Sequence, residues 1–86
     1  MEVIRWNTTK SARLKRIRGV SFEELVNAEC LDIRKHPSRE NQGILIYEYK
    51  GYIWAVPFVD DGEDMFLKTL YPCRKYKKLY KKEVIK

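Results

Sequence analysis

Hydrophobic and polar positions divide this chain into a helical first third and a strand-rich middle. Val3 to Trp6 reads as a short opening strand. After it, Asn7, Thr8 or Thr9 can cap a helix that runs to about Arg18, where Gly19 supplies a C-terminal stop. Ser21 and Glu24 have the S-x-x-E spacing of a capping box. That spacing predicts a second helix from Phe22 to about Glu29, with Phe22, Leu25 and Val26 available to pack inward.

Cys30 to Arg34 reads as a strand, ended by His36-Pro37 and the polar loop Ser38 to Gly43. Ile44 to Tyr49 and Tyr52 to Val59 flank Lys50-Gly51 as a hairpin, and the acidic turn Asp60 to Asp64 leads into a last strand, Met65 to Tyr71. Pro72 ends that strand and opens a tail helix.

Alternation across the hairpin separates two faces. Leu45, Tyr47, Tyr49, Tyr52, Trp54 and Val56 share one, and Ile44, Ile46, Ile53, Ala55 and Pro57 share the other. The expectation is that the aliphatic face seats the two helices, leaving the aromatic face to the tail helix or to a partner. Pro57 cannot donate to a ladder, so its strand must carry a bulge or an unpaired edge there. Four residues in the acidic turn would set Lys68 on the aliphatic face. Five would set it beside Trp54, the arrangement that makes it a ligand.

The expected fold class is therefore α+β: an antiparallel sheet of four to five strands in a meander, two N-terminal helices on one face, and a basic C-terminal helix. Its 86 residues suit a single domain, 1–86, built from a strand plus two helices (1–29), a sheet (30–71) and the tail helix (72–86). The longest apolar run, Tyr52 to Val59, falls far short of the roughly 20 residues that span a bilayer, so no membrane is expected and the default compartment is reducing cytoplasm. Cys30 and Cys73 have no CxxC spacing and the chain holds one histidine, which argues against a metal site. No motif calls for a cofactor.

Charge narrows the function classes. Pro72 to Lys86 carries seven basic side chains against one acid, whereas the two signs cancel over residues 1–71, so the net charge of +6 sits on the tail. Tyrosines between its lysines add flat rings to an electrostatic attraction for polyanions, which makes nucleic acid the first partner to consider.

Three segments together resemble one family: Trp6-Asn7 before a basic helix, then Arg18-Gly19-Val20-Ser21-Phe22-Glu23-Glu24, and Cys73-Arg74-Lys75 directly after the last strand. In order, and over nearly the whole chain, they resemble the BrnT-type toxins of bacterial toxin–antitoxin pairs. The resemblance implies a RelE-like fold, a ribonuclease activity that blocks translation, and a cognate antitoxin with a ribbon-helix-helix DNA-binding portion. Arg18 stands where family members commonly have histidine, and Pro72-Cys73 replaces a Ser-Ala pair.

Metal-free RNA cleavage needs a base for the ribose 2′-hydroxyl, cations for the charge that builds on the phosphorane, and an acid for the departing 5′-oxygen. His36 is the candidate base, set against a solvent-facing turn residue. Arg74 and Lys75 are candidates to stabilise the phosphorane, set against a basic helix start exposed to water. Tyr80 is a proton-transfer candidate unless it merely packs with Tyr76 and Leu79. Arg18, Lys68 and Lys78 are candidate RNA contacts, with Trp54 and Tyr52 as stacking rings that an apolar antitoxin segment could equally cover. The leading expectation is an endoribonuclease toxin acting on RNA, on or off the ribosome. A non-catalytic nucleic-acid-binding module and a pure protein-interaction domain are the alternatives.

Overall fold

The computed structural model describes residues 3–75. In chain order the elements are β1 (Val3–Trp6), α1 (Thr8–Arg18), α2 (Phe22–Val26), β2 (Glu29–Lys35), β3 (Gln42–Tyr49), β4 (Tyr52–Asp60), β5 (Asp64–Leu67) and β6 (Tyr71–Pro72). Of the expected tail helix, 72–86, Pro72 belongs to β6, and residues 76–86, with Tyr80 and Lys78, lie outside the described residues.

The two helices start and stop where their caps dictate. The Asn7 side chain accepts from the Lys10 backbone N–H, and Gly19, at φ 81°, closes α1 in the left-handed region that glycine enters without strain. Ser21 and Glu24 form the full capping box of α2, which ends at Val26, three residues short of the predicted Glu29. Buried Ser11 of α1 joins the pair: its hydroxyl accepts from the Phe22 backbone N–H and donates to Glu23, whose other carboxylate oxygen accepts from Trp6 Nε1.

Glu24 anchors this corner to the sheet. Its carboxylate accepts from Lys15 Nζ at 2.8 Å and from the Tyr49 hydroxyl at 2.9 Å, with Lys50 Nζ at 3.9 Å. The Lys15 ammonium, then the Tyr49 hydroxyl, hold its carboxyl down at about 2, against an ordinary 4.5. A group depressed on folding stabilises the native state above its unfolded value and loses that contribution as pH falls towards its folded value. The melting temperature is therefore expected to fall between about pH 4.5 and pH 2. In thermal melts, Glu24→Gln should be less stable at neutral pH and respond less to acid in that interval. An acid response identical to that of the parent would exclude Glu24 as a source.

The strands form one sheet in the order β1-β5-β4-β3-β2, with β6 also against β4. From β2 to β5 it is the expected antiparallel meander, but β1 pairs parallel to β5, so the sheet is mixed. The helices carry the chain across the sheet from β1 at one edge to β2 at the other, and the meander then returns β5 to the side of β1.

The helices cover the aromatic face, not the aliphatic one. Leu14, Val20, Phe22 and Leu25 form one buried cluster with Leu45, Tyr47, Trp54 and Val56. This reverses the sequence expectation, for two physical reasons. Aromatic rings remove more apolar area from water per residue than aliphatic chains do. Their polar ends also find partners there, since the Tyr49 hydroxyl donates to Glu24 and Trp54 Nε1 donates to the Tyr49 carbonyl. On the opposite face Ile46, Ile53 and Ala55 are buried with Leu31, Ile44, Tyr71 and Cys73 packed against them.

Pro57 breaks the neighbouring strand. Its carbonyl accepts from the Lys68 N–H, so its missing donor faces the same edge. Along that edge β5 pairs as far as Phe58↔Leu67, and pairing resumes one residue out of register at Ala55↔Tyr71. The predicted strand Met65 to Tyr71 is thus two pieces, β5 and β6, around the bulge that proline demands.

Candidate functional site

A cavity of about 390 Å³ opens where β2 and β3 begin to separate. Arg34, Lys35 and His36 line it from the end of β2, and Lys68 enters from the bulge after β5. Ile44 and Pro57 add apolar surface, and no acid is among the described residues that line it. The register explains the convergence. Asp60↔Met65 leaves four residues in the acidic turn, which sets Lys68 opposite Pro57 on the face away from the helices. Arg34, paired with Ile44, lies on that same face, with its Nε 3.7 Å from Asp32 Oδ2. The aliphatic-face register, taken above to remove Lys68 from consideration, is the one that brings it to His36.

The imidazole of His36 is held by the turn it closes. Nδ1 accepts from the backbone N–H groups of Ser38 and Arg39, both at 3.1 Å, and the His36 N–H donates to the Gln42 carbonyl. A ring nitrogen that accepts two backbone donors carries no proton, so the neutral ring has its proton on Nε2. Nε2 is the nitrogen left for a ligand, and it is a donor. The arrangement can therefore bind an anion through two or three cations and donate a hydrogen bond to it from Nε2.

The other predicted residues lie elsewhere. Arg74 shares a smaller cavity, about 180 Å³, with Tyr52, Pro72 and Cys73. Tyr52 and Pro57 are five positions apart on β4, so this cavity is about 17 Å from the first along the strand. Lys75 is exposed next to Arg74, and Arg18 is exposed at the end of α1 in the helical layer, lining neither cavity. Trp54 is 6% exposed beneath the helices, which removes its ring as a stacking surface. His36 and Lys68 come together; Arg74 and Lys75 do not join them.

Sequence reasoning missed Arg34 and Lys35. For Arg34 the signal was present in the period-two spacing of Asp32, Arg34 and His36, which puts all three on one side of an extended strand; the same alternation gives no signal for Lys35.

The site and fold together define a class: a small mixed sheet, helices on one face, and a cationic histidine-bearing pocket at the strand ends. No family model matches the sequence, and no curated protein matches it. Among solved structures, the chain is similar to the Brucella abortus ribonuclease toxin BrnT, with a TM-score of 0.53 and 21% identity. The match covers 85% of this chain and 97% of that one. The resemblance to BrnT-type toxins therefore holds as a likeness of fold.

The residues behind the sequence resemblance agree with that level. Trp6, Asn7, Gly19, Ser21, Phe22, Glu23 and Glu24 cap, pack or tie the helical corner. The motif specifies an architecture.

Proposed function

We propose that this chain is a ribonuclease toxin of a toxin–antitoxin pair. It cuts RNA by attack of the 2′-hydroxyl on the adjacent phosphate, leaving a 2′,3′-cyclic phosphate. The observation that carries the reading is the pocket of Arg34, Lys35, His36 and Lys68, in which cations face a histidine with a fixed proton position.

Arg34 and Lys68 hold the non-bridging oxygens and offset the charge that grows on them in the phosphorane. His36 donates a hydrogen bond from Nε2–H to a non-bridging oxygen as charge builds there, in place of the base role expected from sequence, and the departing 5′-oxygen takes its proton from water. The 2′-hydroxyl proton passes to water, which reaches the pocket past the exposed Lys68 and His36. Arg74, Lys75 and Tyr52 contact RNA further along the strand, and Arg18 adds charge from the helical layer. A cognate antitoxin, with the ribbon-helix-helix portion implied by the family, silences the enzyme by covering the pocket.

Purified protein incubated with end-labelled RNA in chelator is expected to yield fragments with cyclic phosphate ends, and Lys68→Ala to lose them. RNA bound but uncut, with ribosomes and without, would leave only a nucleic-acid-binding module.

A further inference from the structure

Phe66 is 45% exposed, and the pocket chemistry above does not use it. Its neighbour Leu67 is buried under the helices, so alternation turns Phe66 to the opposite face, the one that carries Lys68 and Arg34. On that face Phe66 pairs laterally with Val59 of β4 and Arg5 of β1. Val3, two positions before Arg5, is 56% exposed. Arg5 is paired with Asp64 at 3.0 Å, so the apolar surface runs from Phe66 to Val59 on the adjacent strand and meets the apolar wall of the cationic pocket at Pro57.

We infer that Phe66 is a stacking platform for a nucleobase of single-stranded RNA whose phosphate occupies the Arg34–His36–Lys68 pocket. This rests on the function proposed above and names how its substrate is gripped. Phe66 and Lys68 are two strand positions apart, about 7 Å, a separation that one nucleotide spans between base and phosphate. Charge selects the occupant: a pocket lined by three cations and no acid, with an exposed ring two strand positions from its Lys68, complements a polyanion that also carries flat faces. Stacking without edge contacts tolerates any base, so the grip requires a base but does not read its identity.

The test is equilibrium binding, by fluorescence anisotropy, of a short 2′-O-methyl RNA that cannot be cut, and of the same oligonucleotide with abasic sites. The unsubstituted protein should bind the base-bearing strand more tightly. Phe66→Ala should weaken that binding by about five- to 150-fold and leave the abasic strand unaffected, while Phe66→Tyr restores it. The salt dependence should survive Phe66→Ala, because the phosphate contacts remain, and become shallower in Lys68→Ala. Phe66 is exposed, so the variant is expected to fold, and its melting curve checks this.

Equal affinity for the two strands, or full RNA affinity in Phe66→Ala, would overturn the stacking role while leaving the pocket as an RNA site. That outcome would hand the apolar surface to a protein partner. Failure of the unsubstituted protein to bind either strand would overturn both readings.

Discussion

Replacing His36 by alanine is expected to lower the rate of RNA cleavage by about 10²- to 10³-fold, the usual cost of removing one positioned donor to a developing oxyanion. RNA affinity should change far less, because Arg34 and Lys68 supply the attraction for phosphate. Alanine also removes the acceptor that holds the Ser38 and Arg39 N–H groups, so a structural loss must be separated from a chemical one. His36→Asn makes the separation. Its side-chain oxygen can close the same turn, as asparagine does in Asx-turns, yet its shorter side chain sets no donor where Nε2–H stands. Both variants should lose cleavage to a similar extent in single-turnover assays. If His36→Asn cuts at the parental rate, the histidine serves only to close the turn and the proposed chemistry is wrong.

The pocket shares its surface with the fold, and this explains which parts of each are legible in the sequence. Helix caps are local: Asn7, Gly19, Ser21 and Glu24 act within a few residues, and each is found in the role its spacing implies. The hairpin and the break at Pro57 are legible for the same reason, since one depends on a two-residue turn and the other on a missing donor. The choice of sheet face is not local. Both faces of the hairpin are apolar, and the outcome depends on Glu24 and the Tyr49 carbonyl lying within reach of aromatic polar groups far away in sequence.

The pocket is similarly non-local. Arg34 and His36 come from one strand, Lys68 from a bulge some thirty residues later, and their meeting depends on two turn lengths that must both be right. The concentration of charge in the last fifteen residues drew the expected phosphate site to Arg74 and Lys75. Net charge indicates a class of partner, whereas a site requires convergence, and Arg34, Lys35 and Lys68 converge around His36.

The strongest effect on stability is expected from Gly43→Ala. Gly43 lies on β3 opposite Phe58 and Lys35, and a Cβ there would sit 2.6 Å from the Arg34 carbonyl oxygen and 2.7 Å from Phe58 Cζ. The first neighbour is backbone held in the β2–β3 ladder, and the second is a ring in the buried core, so neither yields without disrupting pairing or packing. Such overpacking typically costs 1–3 kcal/mol. In a domain of this size that lowers the melting temperature by roughly 4–8 °C for each kcal/mol. Phe58→Leu in the Gly43→Ala background relieves the ring contact but not the carbonyl contact, so it should recover only part of the loss. Arg34 and Phe58 also line the cavity, which couples the two effects: Gly43→Ala should cut RNA more slowly even at temperatures where it is fully folded. A melting temperature equal to the parent's would mean that β2 and β3 do not approach as closely as the fold requires. Cleavage unchanged at full folding would mean that the cavity's shape matters less than its charge.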